Sequence, residues 1–84
     1  MIEMTRLQAL RIQKGLSVHD VGFDGDLDPA TVSRVERGLV RPRKSTLRRI
    51  AKGLGVRPQR IRELVEADMA DRILEAHDAT KEPA

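Results

Sequence analysis

Between Asp28 and Arg37 the chain reads Asp-Pro-Ala-Thr-Val-Ser-Arg-Val-Glu-Arg. At helical spacing Val32 and Val35 share one face. Ala30, Ser33, Arg34 and Arg37 fall on the opposite face, with Pro29 and Thr31 at its margin. An outward arginine, flanked by hydroxyls and small apolar groups, suits recognition of base edges in duplex DNA. Arg34 can give two hydrogen bonds to guanine O6 and N7. Pro29, Ala30 or Thr31 can meet a thymine methyl, and Ser33 can serve bases or phosphates.

The surrounding charge supports a polyanionic partner. The 84 residues carry a net charge of only +3, but unevenly. Residues 28–62 hold eleven Lys or Arg against Asp28 and Glu36, a net +9. The segments on either side are acidic, net −1 before and −5 after. Such a block is an electrostatic footprint for nucleic acid. Phe23 is the sole aromatic residue, whereas readers of single strands stack bases on several rings. Duplex DNA fits this composition better.

Other chemistry is poorly served. His19 and His77 are the only histidines and cysteine is absent, so no metal-ligand spacing occurs. No phosphate-cradling glycine loop and no nucleophile motif is present. Neither catalysis, nor a metal, nor a cofactor is expected. No run of about 18 apolar residues could span a membrane, and Met1 to Leu10 does not read as a signal peptide.

The elements that must hold these residues are helices. The spacing predicts α1 from about Glu3 to Lys14, with Leu7 and Leu10 inward and Gly15 as its stop. Ser17 is an N-cap for a short α2 bearing Val18 and Val21, with Asp20 three residues on. Gly22 to Asp26 reads as a turn. Asp28 caps α3 and Pro29 takes its first position, where a missing N–H costs nothing. Ser45 is expected to cap α4, whose stripe is Leu47, Ile50, Ala51 and Leu54. Pro58 opens α5, which should reach about Ala76. Residues 1–57 are read as the DNA-binding domain, 58–78 as a dimerisation helix and 79–84 as a frayed tail.

The stretch Leu16 to Gly38, LSVHDVGFDGDLDPATVSRVERG, resembles the helix-turn-helix of the lambda-repressor-like family of Cro and repressor type. Leu16-Ser17, Val21, Leu27, Thr31-Val32-Ser33, Val35-Glu36 and Gly38 match, followed by Pro42 and Leu54-Gly55-Val56. The similarity extends from about Leu7 to Val56 and implies an all-α fold of five helices. It departs from the family at Val18, Gly22, Gly25 and Asp26, where glutamine, alanine, a larger apolar residue and glycine are usual. These last three should weaken α2 and its turn, with Phe23 refilling the gap.

The resemblance implies that Arg11 pairs with Glu36, and that Arg37 contacts phosphate. Ser17, at a helix N-terminus, and Arg41, Arg43, Lys44 and Ser45 should add phosphate contacts. It further implies a bacterial or phage transcriptional regulator acting in the cytoplasm on a palindromic operator. The partner copy would dock on the apolar stripe of α5: Ile61, Leu64, Val65, Met69, Ile73 and Leu74. Two alternatives stand beside this: an antitoxin that autoregulates its promoter, with α5 as the toxin contact, and a module that binds DNA or protein without reading sequence.

Overall fold

The computed structural model describes the backbone of residues 4–81 and the side chains of residues 4–73. Five helices follow one another: α1 (Arg6–Gln13), α2 (Val18–Gly25), α3 (Pro29–Glu36), α4 (Lys44–Leu54) and α5 (Pro58–Lys81). No strand occurs among the described residues. Every helix sends apolar side chains into one core. Leu7 of α1, Val21 of α2, Val32 and Val35 of α3, Ile50 and Leu54 of α4, and Ile61 and Val65 of α5 are all buried there. Full burial of a side chain the size of Ile50 or Ile61 is worth about 1.5–3 kcal/mol, which a chain this short needs from each helix.

The first four helices end in one local design. One or two residues past the helix, at Gly15, Asp26, Gly38 and Gly55, the backbone turns left-handed, and paired N–H groups fold back on the last carbonyls. After α3, Leu39 N–H reaches the Arg34 carbonyl at 3.1 Å and Gly38 N–H that of Val35 at 3.1 Å. After α2 the Leu27 and Asp26 N–H groups reach the Gly22 and Phe23 carbonyls in the same way. There the left-handed residue is Asp26, at φ 59° and ψ 49°. It is the only non-glycine with positive φ among the described residues.

Three expectations about elements are corrected. First, α2 does not stop at Gly22: it continues helically through Gly22 and Phe23 to Gly25. The glycines are there for contact. A Cβ on Gly25 would lie 2.2 Å from the Arg49 carbonyl oxygen of α4, and one on Gly53 of α4 would lie 2.3 Å from the Val21 carbonyl oxygen. The two helices touch backbone to backbone, so Gly25 leaves no gap for Phe23 to refill, and Phe23 is 88% exposed.

Second, Ser45 is not the cap of α4. The N-cap is Arg43, which makes no side-chain cap bond, and Ser45 is the second helical residue. At the other end of the chain, α1 begins only at Arg6, behind an N-cap at Thr5 whose hydroxyl accepts the Gln8 N–H.

Third, residue 57 does not bound the core, because α5 completes it. Ile61 and Val65 are 0% and 3% exposed, while Leu64 and Met69 pack at the core's edge. One turn beyond Val65, the buried Asp68 carboxylate accepts the backbone N–H groups of Arg6 (2.9 Å) and Leu7 (3.1 Å). These are first-turn donors of α1 that no helix can satisfy internally. α5 is therefore bolted to α1 by a buried acceptor as well as by apolar packing. It then continues past the core, and its 24 residues span about 36 Å.

Candidate nucleic-acid interface

The orientation of α3 is set from its inner side. Val32 and Val35 are each 1% exposed, so the helix cannot roll without losing both. Glu36 is also buried, which for a carboxylate requires a partner. Arg11 of α1 supplies it: the Arg11 Nε–H donates to Glu36 Oε2 and a second guanidinium N–H to Oε1 at 3.2 Å. The remaining fork of Arg11 donates to the Leu16 carbonyl at 2.8 Å. One arginine thus ties α3 to α1 and to the turn entering α2. A bidentate pair fixes direction as well as distance.

With that face locked, Ala30, Arg34 and Arg37 are exposed, and Pro29, Thr31 and Ser33 are half-buried at the margin. The Asp28 carboxylate accepts the Ala30 N–H at 3.0 Å and closes the start of the helix. Arg34 projects freely. Arg37 leans back, its Nε–H reaching the Ser33 carbonyl at 3.4 Å. Ser33 and Arg37 also border a cavity of about 570 Å³ that is lined as well by Val18 of α2, the Arg11–Glu36 pair, and residues of α1 and α5. Val18 and α3 therefore share one margin of the exposed surface.

Ser17 begins α2 in a reciprocal cap. Its hydroxyl accepts the Asp20 N–H at 3.0 Å, and the Asp20 carboxylate accepts the Ser17 N–H at 2.9 Å. The Ser17 N–H, and after it the Ser17 hydroxyl beside the carboxylate, hold the Asp20 carboxyl below its ordinary value. The α2 N-terminus thus already faces one carboxylate. At the start of α4 the situation is reversed. With no side-chain cap, its first-turn N–H groups are open to an anion. Arg41, Arg43, Lys44 and Ser45 are all exposed around it.

A buried arginine–carboxylate lock, two helices joined by a left-handed turn, and an outward face bearing arginine are thus assembled in the first three helices. A family model described as helix-turn-helix matches residues 7–61. The chain belongs to the lambda-repressor-like helix-turn-helix family. No curated protein and no solved structure matches. The family is one of DNA-binding regulators, and the match ends at Ile61, inside α5, in keeping with that residue's place in the core.

The structure sorts the remaining expected residues. Ile61 and Val65 are withdrawn from any dimer surface, because the core of their own chain covers them. Leu64 and Met69 are half-buried, and Ile73 is 64% exposed. The Leu74 side chain lies outside the described residues. Asp68 escaped sequence reasoning, although it occupies a position of the inward stripe, seven residues after Ile61. Among the described residues no helix is long and apolar enough to cross a membrane.

Proposed function

We propose that this helix-turn-helix protein is a sequence-specific regulator of transcription, of repressor or Cro kind, that lays α3 in the major groove. The observation that carries this is the pairing of a locked inner face with a free outer one. Val32, Val35 and Glu36 hold α3 from within, leaving Arg34 exposed at its centre. Arg34 reads a guanine, and Pro29, Ala30, Thr31 and Ser33 lie beside neighbouring bases. Ser17, Arg37, Arg41, Arg43, Lys44 and Ser45 hold phosphates and set the register. The protein works without a catalytic step, in the cytoplasm of a bacterial or phage-infected cell. It binds as a homodimer on a palindromic operator, one domain per half-site.

The test is titration at fixed salt against the DNA flanking its own gene and against random duplex of equal length. Specific sites typically bind about 10³–10⁷ times tighter than random DNA. Arg34→Ala should remove roughly 1–3 kcal/mol of that preference while leaving the salt dependence nearly unchanged. Equal binding of both duplexes, weakening together with salt, would leave only a phosphate-holding module.

A further inference from the structure

The cleft of about 570 Å³ beside α3 lies where α1, α3 and α5 meet. Its volume falls within the roughly 300–1,000 Å³ usual for small-molecule sites. Two carboxylates line it, Glu36 and Asp68, and both are already satisfied. Glu36 takes Arg11, while Asp68 takes the Arg6 and Leu7 N–H groups and the Arg6 guanidinium. Two guanidinium groups on the walls have no such partner: among the described residues neither Arg37 nor Arg72 is ion-paired. The spare charge of the cleft is therefore positive.

The Arg72 side chain of α5 lies over the end of α3: a Cβ on Gly38 would sit 3.5 Å from its Cδ. Arg37 directly precedes Gly38, so both cations stand at the same helix end. Ser33 and Gln8 add a hydroxyl and an amide, each half-buried. The apolar part of the wall is aliphatic: Met4 and Leu39, 49% and 47% exposed, and Val18. Phe23, the sole aromatic residue, lies elsewhere, so a nucleobase would find no ring to stack on.

We propose that this cleft is an effector site for a small soluble anion with a short aliphatic body, whose head sits between Arg37 and Arg72. The head accepts charge-assisted hydrogen bonds from both guanidinium groups, and the body covers Met4 and Leu39. A DNA phosphate is the poorer occupant, because it leaves those two side chains uncovered. An anion held here engages Arg37, which the function proposed above places on a DNA phosphate, so ligand and DNA weaken one another. That coupling rests on the DNA-binding reading, whereas the ligand site does not.

NMR titration of the full chain without DNA tests the site, with hexyl phosphate as probe and with inorganic phosphate and hexylamine beside it at equal ionic strength. Hexyl phosphate should shift the amides of Gln8, Ser33, Gly38 and Leu39 and leave those of Arg48 and Lys52 in place. Arg72→Ala should raise its dissociation constant about ten-fold, and Arg72→Lys should recover part of the loss. Leu39→Asp, which sets a carboxylate at the mouth, should abolish binding. Both positions are exposed, so these variants should keep the wild-type melting transition. No response to hexyl phosphate, or an equal response to hexylamine, overturns the proposal. Equal affinity for inorganic phosphate overturns it too, since the cleft then holds an adventitious ion only.

Anisotropy of a labelled random duplex at fixed salt tests the coupling. Saturating hexyl phosphate should weaken duplex binding about ten-fold in wild type and leave Leu39→Asp unaffected. A wild type that takes hexyl phosphate yet keeps its DNA affinity overturns the coupling. Without ligand, Arg72→Ala should bind the duplex as wild type does; a weaker complex would assign Arg72 to a DNA phosphate and overturn the effector site. A chain that takes hexyl phosphate but no duplex fails the DNA-binding reading and keeps the site, so the two failures register separately.

Discussion

Asp68 caps a helix that begins 62 residues before it: its carboxylate accepts the Arg6 N–H at 2.9 Å and the neighbouring Leu7 N–H at 3.1 Å. Caps of this kind usually come from the residue just ahead of the helix. Here Thr5 takes the Gln8 N–H, and α5 supplies the rest.

Asp68→Ala should therefore cost about 2 kcal/mol, because it strands two backbone donors in a buried place. Asp68→Asn, which keeps one acceptor oxygen, should cost less. Urea unfolding measures both. Amide exchange should also show α1 and α5 opening together in the alanine variant. A loss confined to α1 would show that the cap does not fasten α5.

Arg11→Ala leaves the Glu36 carboxylate buried and uncompensated. Loss of one partner of such a pair typically costs about 3–5 kcal/mol, whereas replacing both by apolar groups costs far less. Arg11→Met combined with Glu36→Leu should thus melt well above Arg11→Ala in thermal unfolding. The double variant should still lose operator preference, since nothing then fixes the direction of α3.

Two glycine-related substitutions should have opposite signs. Asp26 stands at φ 59°, where an L side chain typically costs about 1–2 kcal/mol. Asp26→Gly should recover roughly half of that after the entropy of a freer unfolded chain is deducted. Gly25→Ala gains helix propensity of up to about 1 kcal/mol. Its methyl, however, would sit 2.2 Å from the Arg49 carbonyl oxygen, and the forced separation of α2 from α4 should cost more, about 1–3 kcal/mol net. Chemical denaturation of the two variants beside the wild type decides the signs.

The Ser17–Asp20 cap has a pH dependence of known sign. The Asp20 carboxyl is lowered from its ordinary value of 3.8 by accepting the Ser17 N–H and by its contact with the Ser17 hydroxyl. A group depressed in the folded state stabilises fully above its unfolded value and loses that contribution as pH falls through the folded one. Wild type should exceed Asp20→Asn in stability at neutral pH, and the two should converge below about pH 4. Parallel stability curves would rule the cap out as the cause.

Much of this molecule can be read from residue order alone. Val32 and Val35 at helical spacing, Pro29 behind Asp28, and Gly38 at the end define α3 and its outward Arg34, because each signal acts within a few residues of its effect. The pairing of Arg11 with Glu36 followed from resemblance, not from spacing, since 25 residues separate them. What depended on the opposing surface could not be read. Gly22 and Gly25 look like a turn until the chain entering α3 closes over Gly22 and α4 is brought against Gly25, and only then does the missing Cβ become the condition for contact. Ile61 and Val65 carry the periodicity of an exposed seam and of a core equally well. Asp68 looks like one more acid on a polar helix. The tertiary structure decided these three cases because burial and hydrogen-bond partnership belong to pairs of elements, and periodicity describes only one element at a time.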